Sequence, residues 1–262
     1  MLVAVGLGLL IGAALGALGG GGSILAVPVL VHVAGQSAGA ATATSLVAVG
    51  ISAGIGSIGH GRHGRVRWGS AGAFVATGIG GSWLGAHLNE RINPDVLMAG
   101  FSVLILLAAH RMLTACPSCT RVGEELAMGQ DGAEARSWDL LGVLRIFAAG
   151  TVVGFLTGLF GVGGGFVIVP ALTLALGMSM PVAIGTSLVV IVGNAAVALG
   201  FRGLGAVDWE IAVPFTVTML VGSGVGSHFA HRLPPEKSLR AFAALLVLVA
   251  IANGIAAGMA LL

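Results

Sequence analysis

The chain has no tyrosine, and aromatic residues make up only 5% of its 262 positions. A transmembrane barrel needs alternating short strands and aromatic girdles, so that architecture is set aside. Charge is as scarce: 8% of residues are Asp, Glu, Lys or Arg, where a soluble domain carries about 25%. Cys116 and Cys119 are the only cysteines, which excludes a disulfide framework. Their CxxC spacing supplies two metal ligands where a structural zinc wants four, so no metal is expected and free cytoplasmic thiols are the simpler reading. No Asp or Glu lies deep in an apolar run. Asp208 and Glu210 stand at the start of one, so a carboxylate proton relay through the membrane centre is not indicated.

What the chain does have is apolar length. Hydrophobic residues make up 56% of it, mean hydropathy is +1.04, and the charges fall in short clusters between apolar runs of roughly 17 to 23 residues. That length crosses about 30 Å of hydrocarbon as helix. An all-α multipass membrane protein of the cell (inner or plasma) membrane follows. The first run starts at Leu2 without a basic flank and flows into a glycine tract, so it is expected to be part of the fold rather than a cleaved signal. A net charge of +2 marks topology rather than a nucleic-acid patch.

Two glycine tracts interrupt these runs: Gly19-Gly20-Gly21-Gly22-Ser23 and Gly161-Val162-Gly163-Gly164-Gly165. So many glycines in a row carry too much backbone entropy to continue a helix, and a break is expected at each. The piece after each break is short, 23–33 and 166–176, and eleven residues of helix rise only about 16 Å, half a bilayer. The tracts belong to a longer repeat. At an offset of 142, Gly16, Pro28, Ala41, Thr44 and Ser45 meet Gly158, Pro170, Ala183, Thr186 and Ser187; after a one-residue deletion, Trp68, Ser82, Gly85, His87 and Pro94 meet Trp209, Ser223, Gly226, His228 and Pro235. Duplication explains this.

The expected layout is a first transmembrane repeat over 1–113, a cytoplasmic linker over 114–139 and a second repeat over 140–262. If each broken segment is a re-entrant hairpin followed by three transmembrane helices, the repeats are inverted in topology. Arg62, Arg65, Arg67, Arg111, Arg121, Arg136, Arg145, Arg232, Lys237 and Arg240 then lie inside, with Arg91 and Arg202 outside. A parallel arrangement moves Arg202 inside and Arg232, Lys237 and Arg240 outside. The positive-inside rule favours the inverted layout, with both termini outside.

A half-helix that begins within the membrane presents N–H groups without intrahelical partners and the positive end of its dipole, so it can hold an anion without a buried cation. The candidate binding residues are therefore Gly20, Gly21, Gly22, Ser23 and Ile24 at the first break and Gly163, Gly164, Gly165 and Phe166 at the second. Thr44, Ser45, Thr186 and Ser187 follow, because hydroxyls recur there in both halves; Asn194 is a further polar candidate. Each hydroxyl could equally bond a carbonyl of its own helix. Gly16 and Gly85 read as packing positions. His87 and His228, equivalent in the repeat, are the histidines worth testing for proton coupling, although an interfacial hydrogen bond explains such residues as well.

These paired breaks, each running on as Gly22-Ser23-Ile24-Leu25-Ala26-Val27-Pro28 and Gly164-Gly165-Phe166-Val167-Ile168-Val169-Pro170, resemble the TauE/SafE family of sulfite exporter-like membrane proteins over essentially the whole chain. The resemblance implies a secondary transporter, commonly an exporter, of small sulfur-containing oxyanions such as sulfite or organosulfonates. The glycine tracts lack the Lys-Ser/Thr ending of a nucleotide loop, and no Gly-x-Ser-x-Gly elbow occurs, so neither an ATPase nor a serine hydrolase is expected. The expectation is a non-enzyme without cofactors whose partners are a small anion and the lipid bilayer, with a homodimer left open and no nucleic acid. An anion channel of the same fold, or a carrier of another small anion, is the alternative.

Overall fold

A computed structural model describes residues 2–89, 94–114, 140–160, 165–203, 205, 207–230 and 234–260. Residues 115–139, which hold Cys116, Cys119 and nearly all of the linker, lie outside the described residues, as do residues 161–164 with Gly163 and Gly164. The regular structure that is described is helical throughout. Helix α1 is Leu2–Leu18, a 3-10 turn covers Gly19–Gly22, and α2 (Ser23–His32), α3 (Ala38–Arg62), α4 (Trp68–Asn89) and α5 (Pro94–Thr114) complete the first half. The second half holds α6 (Leu140–Phe160), α7 (Gly165–Leu174), α8 (Met180–Arg202), α9 (Trp209–Ala230) and α10 (Pro235–Ala260). Helices alone satisfy their own backbone in a medium without water.

Among the described residues, three segments, Gly39–Arg62, Met180–Gly200 and Trp209–Ala230, are long and apolar enough to cross a membrane. Along α9, Val213, Val217, Val221 and Val225 recur every fourth residue and are all exposed, a greasy stripe that suits lipid and not water. The buried core is also apolar. Leu15, Ile24, Leu30, Ile168, Leu172 and Leu188 are fully or almost fully buried at its centre, drawn from α1, α2, α7 and α8.

The first glycine tract breaks the helix as expected. Leu18 leaves helical geometry at φ −115° and ψ 2°, and Gly19 takes φ +72°, a left-handed value that glycine adopts without strain. The chain then doubles back. Gly22 packs its backbone onto Ile11 and Leu15 of α1, and a side chain at Gly22 would collide with both.

The short helices α2 and α7 have ten residues each, about 15 Å of rise, and each carries an internal proline, Pro28 or Pro170. They also end alike. Gly35 (φ 70°) lets the Gln36 N–H reach the Leu30 carbonyl, and Gly177 (φ 63°) lets the Met178 N–H reach the Leu172 carbonyl, both at 3.1 Å. Ser37 and Ser179 then open α3 and α8 with the same φ −61° and ψ 151°.

Packing between helices is exchanged across the halves. Helix α1 lies along α9, and α6 along α4. The contacts match residue for residue: Gly12 and Gly16 rest on the backbone of Met219 and Ser223, while Gly154 and Gly158 rest on that of Gly78 and Ser82. From the other side, Gly222 and Gly226 sit on Leu9 and Ala13, and Gly81 and Gly85 on Thr151 and Phe155. A β-carbon at any of these eight glycines would strike backbone, so each seam brings two helices together at main-chain distance. Gly16 and Gly85 thus have the packing role expected of them. Around the seams, α3 packs against α8 and α5 against α10.

Candidate functional site

The site is built where the two glycine breaks come together. Gly20 lies against the carbonyl of Gly165 so closely that a side chain on Gly20 could not be accommodated; one on Gly165 would meet the Ser23 hydroxyl and the Gly20 backbone. Gly19 faces the start of α8, where an added β-carbon would sit 2.6 Å from Ser187 Oγ and 3.3 Å from Ile184 Cα. The first glycine turn and the start of α7 therefore meet inside the helix bundle. Ser23 caps this arrangement, since both its N–H and its hydroxyl donate to the Gly20 carbonyl, the latter at 2.7 Å. The Ser23 amide therefore already has a partner.

Beside the breaks lies a cavity of about 580 Å³ between α2, α3, α4, α6 and α8. Its described polar lining includes Ser23, Thr42, Ser45, Ser82, Trp83, Thr157 and Asn194, and among the described residues no Asp, Glu, Lys, Arg or His lines it. Apolar side chains such as Val27, Leu46, Val49 and Ile191 form most of the remaining wall. Several hydroxyls face their own helix: Ser45 Oγ donates to the Thr42 carbonyl at 2.9 Å, and Thr157 Oγ1 to the Val153 carbonyl at 2.7 Å. Among the described residues, the Asn194 amide and the Ser82 hydroxyl make no hydrogen bond. Both are donors in a hollow whose described lining is uncharged, the arrangement in which an anion gains most from hydrogen bonds because water does not compete fully for them.

Three sequence candidates line the cavity: Ser23, Ser45 and Asn194. Gly20 and Gly165 form the contact between the breaks, Gly21 lies in the same 3-10 turn, and Gly22 packs on α1. Ile24 and Phe166 bury their side chains in the core. The remaining candidates are elsewhere. Thr44 is fully buried and faces Gln36, whose Nε2 donates to it at 3.4 Å. Thr186 accepts the Arg67 N–H at 3.1 Å and so ties the α3–α4 turn to α8. Ser187 donates to the Ile184 carbonyl at 2.8 Å. His87 and His228 are exposed near the ends of α4 and α9, where His87 stacks on Trp83 with ring centres 5.6 Å apart and His228 meets the edge of Phe229. Neither histidine lines the cavity.

Thr42, Ser82 and Thr157 are lining residues that the sequence did not single out. Ser82 carried a usable signal, because it recurs as Ser223. Thr157 carried none, since its equivalent in the first half is Leu15.

A helical bundle with lipid-suited outer faces, a central chain break at Gly19–Gly22 and a partly polar hollow defines a multipass membrane protein. The particular family is shown by comparison. The model of the family described as "Sulfite exporter TauE/SafE" matches residues 4–253, and the chain belongs to that family. It is similar to two proteins of Xylella fastidiosa, from strains Temecula1 and 9a5c, each named "Probable membrane transporter protein". Each is 35% identical over 263 residues, covering 96% of this chain and 94% of the relative. No solved structure matches the chain.

Proposed function

We propose that the protein is a secondary transporter of small sulfur-containing oxyanions, such as sulfite or organosulfonates, and that it works as an exporter. The observation that carries this reading is the meeting of Gly20 and Gly165 beside a cavity that, among the described residues, is lined by hydroxyl and amide groups and by no charged side chain. An anion there is stabilised by glycine-turn amides and helix dipoles together with the Asn194 amide and the Ser82 hydroxyl. Holding it without a lysine or arginine keeps binding weak enough for release on the far side. Ser23 and Ser45 join once their protons turn from the carbonyls they now serve.

The finer architecture we infer is a pair of inverted repeats, each a re-entrant broken hairpin followed by three spans. The residue-for-residue match of the α1–α9 and α6–α4 seams supports it, as does the reversal of the chain at Gly19. The membership in a family described as sulfite exporters and the names of the relatives support the transport reading. A channel would need a continuous path past the breaks, and Leu15, which lies against Gly22, is fully buried.

Flux into or out of proteoliposomes is the test. Purified protein should move sulfite or a short-chain sulfonate down its gradient with saturable kinetics. Absence of flux for every small anion tried would end the transport reading.

A further inference from the structure

The cavity has a counterpart that is shut. Six of its lining residues, carried through the repeat offset, lead to a second set: Thr157 becomes Leu15, Leu46 becomes Leu188, Gly78 becomes Met219, Asn194 becomes Ser52, Ser82 becomes Ser223, and Ala198 becomes Gly56, while Val49 and Ile191, which exchange with each other, belong to the open cavity itself. The first five of these counterparts, Leu15, Leu188, Met219, Ser52 and Ser223, are fully buried, and Gly56 is buried as well. The two sets lie toward opposite ends of the bundle. The open cavity follows the early part of α3 and the late parts of α4 and α8; the filled set follows the late parts of α3 and α9 and the early part of α8.

The difference between the two sides comes down to a few contacts. Ser223 Oγ donates to the Ser52 carbonyl at 2.8 Å, joining α9 to α3, and Leu188 is seated over Gly56, where an added β-carbon would lie 3.2 Å from its Cδ1. The matching bond, from the Ser82 hydroxyl to the Asn194 carbonyl, is absent among the described residues, and both of those residues line the open cavity. The serines are otherwise held alike. The backbone of Ser223 rests on Gly16 and that of Ser82 on Gly158, so each belongs to a tight helix pair, α1–α9 or α6–α4, of the same construction. Consistent with this, α9 packs against α3 more extensively than α4 does against α8.

We propose that the filled set is a second access route to the same glycine breaks, and that the two serines are reciprocal latches. In the present state the α1–α9 pair is closed and the α6–α4 pair is open. In the alternate state the Ser223–Ser52 bond breaks, Leu188 and Met219 withdraw, and Ser82 bonds the Asn194 carbonyl to close the first cavity. The motion is that of two preassembled helix pairs against α3 and α8, not of single helices. The inference rests on the inverted-repeat transporter reading above, but it is read out by accessibility and not by flux.

The test uses the full chain with Cys116→Ser and Cys119→Ser in proteoliposomes and a membrane-impermeant maleimide. Leu46→Cys should label from one face. Leu188→Cys should label slowly and only from the opposite face, and Leu15→Cys serves as a second reporter if the first variant does not assemble. Adding Ser223→Ala should raise labelling of Leu188→Cys about fivefold, the shift expected for loss of one hydrogen bond, and adding Ser82→Ala should lower it by a similar factor. A general loosening of structure would move both in the same direction, which would overturn the latches. Labelling of both reporters from one face, or free labelling of Leu46→Cys with none of the second-route cysteines under any background, would overturn the second route. Sulfite flux measured on the same vesicles reports on transport separately: the expected labelling without flux keeps the second route and removes the carrier reading.

Discussion

Gly20 and Gly165, separated by 145 positions in the chain, touch through their main chains. The close approach depends on the absence of side chains at these two points, since this is how the first glycine turn reaches the start of α7.

Gly20→Ala should therefore be severe. The added methyl would overlap the Gly165 carbonyl, which is backbone and cannot rotate away. The expected loss is about 1–3 kcal/mol or more from overpacking, together with loss of flux. Thermal unfolding in detergent and sulfite uptake check the two consequences. Gly6→Ala, at a glycine with open space around it, should leave stability close to that of the parent.

The cavity donors should act on affinity. Asn194→Ala and Ser82→Ala each remove an uncommitted donor, and an anion's KM should rise by roughly three- to tenfold in each variant, as expected for one hydrogen bond of about 1 kcal/mol. Thr186→Val should behave differently. Its hydroxyl accepts the Arg67 N–H, so the variant should lose stability while KM stays near that of the parent. Uptake kinetics beside melting curves separate the two classes.

Filling the hollow should block transport without unfolding the protein. Ala198 lines a cavity of about 580 Å³, and Ala198→Trp places a ring in space that is already empty. Flux should fall to background with the melting temperature unchanged or raised. Ordinary flux in that variant would place the solute path elsewhere.

His87 and His228 offer a test of coupling. Both are exposed near helix ends, His87 against Trp83 and His228 against Phe229, and neither reaches the cavity. Replacing each by glutamine should leave the pH profile of uptake unchanged. A profile that shifts in both variants would return them to a role in proton coupling.

Orientation can be read from two exposed turns. Single cysteines at Gly64 and Gly205, with Cys116 and Cys119 replaced by serine, should label from opposite faces if the second repeat is inverted. Labelling from one face would favour the parallel layout.

Much of the bundle was legible in the sequence because lipid narrows the choice to helices, and glycine tracts punctuate a hydrophobic run whatever surrounds them. The break at Gly19, the short helices carrying Pro28 and Pro170, and the packing glycines Gly16 and Gly85 all follow from local chemistry. The site was less legible. Thr44 and Ser45 are adjacent, yet a helix turns each residue about 100° from its neighbour, so Ser45 lines the cavity while Thr44 faces Gln36. Recurrence in both halves could not tell them apart, because it marks shared architecture as readily as shared binding. Thr157 enters the wall because α4 packs against α8 less extensively than α9 does against α3, a difference between the halves that no single position records.

The exchanged seams have a bearing on ancestry and assembly. Because α1 is clasped by α9 and α4 by α6, each half leaves its own glycine edges bare until the other half arrives. A half-length forebear could have matured only as a pair of copies. A present-day chain severed between Thr114 and Leu140 should still yield working protein when both fragments are coexpressed, and neither fragment should accumulate when made alone.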